Sequence, residues 1–308
     1  MEWPAAHIVD SLAAAVIQRI EETIVRKNSQ MHLSDKPAEI SKLNMEMFLI
    51  LKFNDLVLVP NLTSLDLRER LQPVRNHLYD KLGRLGGLRD LWLGEASHGY
   101  TPDIFKRQFQ AGVSNMKRLV RFSLQFDCFD KLISILAENC GESLKLLDVS
   151  QSSNVTDGSL ESFQKFRNLL DLNIFSCGFT AEGQARLLAG LPTLFNLRRG
   201  DFLCDAAEWM EWLQVEAEQT PRLQIREFFS SETYHFHTVQ QMATVARICP
   251  NILKMRFIFS KEHFISYLNL TTFQNLQDLH LCGGDFYDGN IYNIYDIMIL
   301  IDIILTLS

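Results

Sequence analysis

Nine times between residues 62 and 281 the chain approximates one pattern, L-x-x-L-x-L. The copies are LTSLDL from Leu62, LRDLWL from Leu88, LVRFSL from Leu119, LKLLDV from Leu144, LLDLNI from Leu169, LFNLRR from Leu194, LQIREF from Leu223, ILKMRF from Ile252 and LQDLHL from Leu276. In extended backbone, alternate side chains point to opposite faces, so the apolar residues of each copy fall on one side of a short strand. Between the strands lie amphipathic stretches that end at glycine or proline, such as DKLISILAENCG, TAEGQARLLAGLP and HTVQQMATVARICP. Each unit therefore reads strand, turn, helix, turn. A unit of this size cannot bury its own apolar face, so neighbours must stack.

The starts lie 24 to 31 residues apart. That is the period of leucine-rich repeats, slightly stretched in places. The expected fold class is an α/β leucine-rich-repeat solenoid, with parallel strands on the concave face, helices on the convex face and a helical N-terminal cap. The domains follow: residues 1–58 as a helical cap or adaptor-docking segment, 59–284 as a solenoid of about nine repeats, and 285–308 as an atypical apolar tail. The sixth and seventh copies fit poorly, because this frame puts Arg199 and Arg226 on core-directed slots.

Two copies define a subtype. After LDV and LNI come a small residue (Ser152, Cys177), an apolar residue (Val155, Phe179), a threonine (Thr156, Thr180) and an acidic–glycine pair. The threonines are placed to cap the following helices, with Asp157 and Glu182 favourable in the first turn. Cys140 and Cys249, just ahead of a strand, read as small apolar fillers. This pattern resembles the cysteine-containing leucine-rich repeats of substrate receptors in cullin-RING ubiquitin ligases, of F-box or VHL-box type. The resemblance spans roughly residues 56–284. It implies a protein substrate as partner, an elongin-type or Skp-type adaptor and a cullin.

The third and fifth positions of each strand, and the one after the sixth, are expected to face outward. Among these residues Trp92, Arg121, Phe175, Arg198, Glu227, Phe229, Lys254 and Arg256 are the candidate partner-binding set, because aromatic residues and arginine anchor protein interfaces. The same frame points Ile225 outward and places Asp148 and Asn173 on the fifth position.

Ahead of the repeats, DSLAAAVIQRIEETI carries an apolar stripe at Ile8, Leu12, Val16, Ile20 and Ile24. Ligase receptors of the elongin-binding type have a helical box of a small residue, leucine, three free positions, cysteine or another small residue, three free positions and an apolar residue. Ser11, Leu12, Val16 and Ile20 match it, apart from valine where cysteine is usual, and the resemblance implies that they dock an adaptor by inserting a helix into a groove. Further on, Pro37, Glu39, Ile40, Leu43, Asp55 and Leu56 are similar to the cullin-contacting part of such boxes and also to an F-box. Residue matching does not separate the two types. A solenoid also needs a cap over its first repeat, so the same helix has a purely structural role open to it.

The formal charge is −7, without the basic surplus of a general nucleic-acid or anionic-membrane binder. The six cysteines form no CxxC pair, which speaks against zinc ligation and a disulfide framework. No secretory signal precedes the repeats, and the expected compartment is cytoplasmic, with a nuclear location open. No GxGxxG, GxxxxGK, HExxH or GxSxG occurs. His235 and His237 lack neighbouring ligand residues, and GGDFYDGN lacks the ligand alternation of a calcium loop. The expectation is a non-enzymatic protein without cofactor or metal. The tail, with Asp302 inside its final apolar run, is shorter than the about 20 residues a bilayer span needs. It reads as a truncated or misspliced end, or as a cover for the last repeat.

Overall fold

The computed structural model describes residues 5–32, 58–68, 78, 81–95, 103–198, 206–207, 209–210, 222–230, 239–259 and 272–283. The second part of the N-terminal box, the two histidines of YHFHT, Arg199 and the tail 285–308 lie outside them. Nine parallel strands follow one another in chain order: β1 (Ser64–Asp66), β2 (Asp90–Glu95), β3 (Arg121–Gln125), β4 (Leu146–Asp148), β5 (Asp171–Asn173), β6 (Asn196–Leu197), β7 (Glu227–Ser230), β8 (Lys254–Phe259) and β9 (Asp278–Gly283). Strands in this order, with helices between them, make the α/β leucine-rich-repeat solenoid that the period predicts. The chain forms two compact units, residues 1–146 and 147–308.

The first unit begins with helix α1 (Ala5–His32), whose 28 residues include no glycine or proline. Ala13, Ile17, Ile20 and Ile24 are buried and recur at helical spacing on one face. On that same face Asp10 accepts hydrogen bonds from the N–H of Thr63 (3.0 Å), the hydroxyl of Thr63 (2.5 Å) and the N–H of Ser64 (3.3 Å). These groups belong to the outer edge of β1, the first strand among the described residues. The helix therefore closes the sheet edge chemically as well as covering Leu62, Leu65 and Leu67, which are all buried. Helices α2 (Asp103–Ser114) and α3 (Asp130–Cys140) follow β2 and β3.

In the second unit, helices α4 (Leu160–Phe163), α5 (Ala181–Ala189) and α6 (Val239–Ile248) alternate with strands. Thr156 and Thr180 are N-caps as expected, accepting from the N–H of Gly158 (3.2 Å) and Gly183 (2.9 Å) respectively. Asp157 ties one repeat to the next by accepting from the Thr180 N–H (3.0 Å) and hydroxyl (2.6 Å). Gly183 makes room for this carboxylate, which a β-carbon would strike. Phe163 packs edge-to-face on both Phe166 and Phe179, adding aromatic contacts to the core between these repeats.

Register is set by a recurring carbonyl. In each unit the second residue of a repeat accepts from the N–H groups of the second and third residues of the next. Thr63 O receives Arg89 (2.8 Å) and Asp90 (3.0 Å), and Leu170 O receives Phe195 (3.0 Å) and Asn196 (2.8 Å). Arg226 O likewise receives Leu253 (2.8 Å) and Lys254 (3.0 Å), which makes Arg226 a second-position residue. The pairing of Glu227 with both Asn196 and Lys254 agrees. The seventh repeat therefore starts at Ile225 rather than Leu223 and reads IREFFS. Ile225 is buried as its first residue instead of facing outward, Phe228 is buried as its fourth, and Arg226 is exposed instead of occupying a core slot. Leu223, two residues early, is buried too, and that second leucine is what shifts the sequence frame.

The turns after β3, β4 and β5 share a second regularity. Phe126, Gln151 and Ser176, each in the eighth position, have φ of 67°, 61° and 54°, the left-handed region.

Replacing Asp10 by alanine strands the Thr63 and Ser64 donors. Urea unfolding followed by circular dichroism is expected to show a loss of about 1–3 kcal/mol, the range for hydrogen bonds to a charged acceptor.

Candidate protein-recognition surface

The strands present their third and fifth positions on the face away from the core, but not equally. The fifth-position residues Ser123, Asp148 and Asn173 are buried rather than outward-facing and accessible. Their side chains are short, and two of them fold back onto their own turn. Asp148 Oδ1 accepts from the N–H (3.1 Å) and hydroxyl (2.8 Å) of Ser150, and Asn173 Oδ1 accepts from the Phe175 N–H (3.3 Å). Asp66 does the same for the Arg68 N–H (3.1 Å). An Asp or Asn here is a turn-builder, since its oxygen reaches the amide two residues on.

In the first unit Arg68 makes a two-pronged pair with Asp66, with Nε donating to Oδ1 (3.0 Å) and Nη2 to Oδ2 (2.6 Å). Its guanidinium carbon lies 4.9 Å from the ring centre of Trp92, which is half-buried. Arg121 reaches across from β3 to β2 and donates to both oxygens of Asp90, at 2.7 and 3.1 Å.

In the second unit Arg198 donates through Nε (3.1 Å) and Nη2 (2.8 Å) to Asp171 Oδ2, to which Asn196 also donates (3.2 Å). Lys254 lies 3.5 Å from Glu227. Phe175 and Phe229 are half-buried, and Phe229 stands opposite Arg256 in the β7–β8 register. The Arg256 side chain lies outside the described residues.

Seven of the eight expected recognition residues have described side chains, Trp92 and Arg121 in the first unit and Phe175, Arg198, Glu227, Phe229 and Lys254 in the second. Strand alternation places these residues on the outward side, and their pairing with carboxylates is visible only in the structure. The cations are matched to carboxylates of the same or the adjacent strand, so an incoming acid must compete for them. The two pairs exposed on both sides, Arg68–Asp66 and Lys254–Glu227, are each worth about 0–1 kcal/mol, which makes them exchangeable.

Asp171 is the exception to easy matching. Its Oδ1 is the only buried side-chain oxygen or nitrogen without a hydrogen-bond partner among the described residues. Burial raises its pKa, an effect opposed by Arg198 and reinforced by the Asp148 charge. Burial likewise raises the thiols of Cys140 and Cys249 and pushes Cys177 up to about 12. Cys128, Cys140, Cys177 and Cys249 are not joined in disulfides. Cys140 and Cys177 donate to the carbonyls of Met116 (2.8 Å) and Val149 (3.2 Å) in the preceding repeats, and Cys140 and Cys249 are buried, as expected of small fillers. No group of three or more potential metal ligands occurs among the described residues, and no described helix is long and apolar enough to cross a membrane.

At the other end of the chain's candidate set, α1 separates the four docking residues. Ser11 and Leu12 are exposed, Leu12 by 58%, Val16 is half-buried, and Ile20 is buried. Ile8 (66% exposed) and Val25 (49%) add to the outward apolar side. The stripe read from the sequence at four-residue spacing drifts around the helix, since four residues exceed one turn of 3.6, so its start faces solvent and its end faces the core.

Two outcomes test these environments. Because the folded pKa of Asp171 is raised, its contribution to stability is greatest when protonated and falls as pH rises through the carboxylate range. The melting temperature of Asp171→Asn relative to wild type should therefore improve between about pH 3 and pH 7. Site-resolved maleimide labelling at about pH 8 should leave Cys140, Cys177 and Cys249 unmodified in the native chain and modify them in urea, since the reactive species is the thiolate.

No protein-family model matches the chain, and no curated protein matches it by sequence. Among solved structures, an internalin (inlF) from Listeria monocytogenes str. 4b F2365 is similar over 68% of this chain, with 16% identity and a TM-score of 0.35. This chain spans 59% of that internalin chain. A structure of leiomodin-1 actin-binding site 2 is similar over 67% of this chain and 91% of its own, with 11% identity and a TM-score of 0.30. Likenesses this distant carry no argument about function, and the repeat assignment rests on the strand order, ladder and buried positions described above.

Proposed function

We propose that the chain is a non-enzymatic protein-recognition subunit. Its outward sheet face binds a protein substrate through Trp92, Phe175 and Phe229 and the exchangeable charges around them. The solvent side of α1 docks an adaptor, of elongin or Skp type, that links the protein to a cullin-RING ubiquitin ligase. The observation that carries this reading is the division of α1. Asp10 is bonded to the first repeat and Ala13, Ile17, Ile20 and Ile24 are buried, yet Ile8 and Leu12 stay exposed on the same helix. A helix that only capped would have no use for large aliphatic side chains on its outer turns, and burying one such side chain in a partner groove is worth about 1.5–3 kcal/mol.

A second reading, a leucine-rich-repeat interaction scaffold without ligase connection, draws on Ile20. This residue completes the box resemblance but is buried, so a partner would grip only the first half of the box.

Pull-down with purified elongin-type and Skp-type adaptors separates the two. The ligase reading expects recovery of one adaptor by wild-type chain, and at least tenfold less by Leu12→Asp with an unchanged melting temperature. Recovery of neither adaptor, or equal recovery by the folded variant, leaves the scaffold reading.

A further inference from the structure

A row of side chains runs across the strands of the second unit at their N-terminal ends, apart from the recognition face. The second residues of four successive repeats are Leu170, Phe195, Arg226 and Leu253, linked in sequence through their backbones. Phe195 N–H donates to Leu170 O (3.0 Å), Arg226 N–H to Phe195 O (2.8 Å) and Leu253 N–H to Arg226 O (2.8 Å). Hydrogen-bonded strands stand about 4.8 Å apart, so these positions form a continuous line about 14 Å long. Leu170 is 40% exposed and Phe195 is 38% exposed, Leu253 is half-buried and Arg226 is exposed.

The repeat does not require apolar residues at this position. In the first unit the same position holds Thr63, Arg89, Val120 and Lys145. The fold buries the first and fourth residues, and the ladder uses the second through its backbone. Leucine, phenylalanine and leucine in the second unit are therefore surplus to packing, and together they form a local apolar line on a chain surface.

The charge on this line says what would cover it. The Arg226 guanidinium lies 5.6 Å from the centre of the Phe195 ring, and it has no carboxylate partner among the described residues. This contrasts with Arg198 on the recognition face of the same unit, which is matched to Asp171. Arg222, just before the strand, is also exposed and without a carboxylate partner among the described residues. A cation held over an aromatic ring between two leucines complements a carboxylate flanked by apolar groups.

We propose that the Leu170–Phe195–Arg226–Leu253 row is a second docking surface, whose occupant is an amphipathic, acidic peptide helix of a protein partner. The helical pitch of 5.4 Å brings apolar residues one turn apart close to the row's spacing, with an Asp or Glu meeting Arg226. A net charge of −7 disfavours an anionic membrane as the occupant. The row is distinct from the sheet face and from α1, so it stands or falls independently of the ligase reading.

Phage-displayed random 15-residue peptides selected on the full chain supply the probe. The expected winners pair Asp or Glu with apolar residues at helical spacing. As synthetic peptides they should bind Phe195→Ser and Arg226→Glu chains at least tenfold more weakly, and Trp92→Ala and Phe229→Ala chains within twofold of wild type. Leu170→Ser serves in place of Phe195→Ser if that variant melts early. The proposal is overturned by recovery of no peptide, or by winners that respond to Trp92 and Phe229 rather than to the row. It is equally overturned if phosphatidylserine vesicles, and not peptides, bind in a Phe195-dependent way.

Discussion

The second-position carbonyl is the interaction on which the rest of this structure depends. One acceptor takes two amides of the following repeat, and this shared bond fixes how far each strand can slide against the next. A shift by one residue would turn every leucine of a strand to the wrong face. Once the bond is made, the first and fourth residues must face the core, the third must face outward, and the second must sit at the strand's N-terminal end. Outward sheet face, apolar row and buried core are three consequences of one register.

The α1 helix satisfies the same constraint at the first strand of the described sheet. Asp10 takes the part of a missing carbonyl, offering oxygen to Thr63 and Ser64. A carboxylate can do this on a helix because its side chain projects beyond the helical backbone, whose own carbonyls are already committed. The isoleucines below it then take the part of a missing repeat's core. Charge and apolar surface on one helical face reproduce what a strand–helix unit would have supplied, while the opposite face is left for other work.

Much of this was legible in the sequence. A leucine repeated at nearly constant spacing leaves few alternatives, and eight of nine strand frames were read correctly. The seventh was misread because Leu223 and Ile225 are both apolar and both buried, so hydrophobicity alone gives two frames, and only the backbone ladder chooses Ile225. The threonine caps at 156 and 180 were legible because a hydroxyl two or three residues ahead of a glycine, with an acid between them, is a helix-start signal. The pairing of Arg121 with Asp90, and of Arg198 with Asp171, was not, since it depends on which residues stand opposite across separate strands. The burial of Asp148 and Asn173 was also hidden, because alternation reports which way a side chain leaves the backbone and not whether neighbours cover it. The helix α1 shows a similar limit. Its four-residue spacing was visible, but its rotation was set by contacts with the first repeat.

The edge that Asp10 closes has a meaning beyond stability. A parallel strand with open amides is a template onto which another chain's strand can add, and a stack of like repeats offers such a strand at every position. By occupying those amides with a side chain, which has no further edge to offer, α1 ends the series. It is therefore a terminator of growth: without it, two copies of this protein would carry matching, unfilled sites from which one sheet could extend into the other.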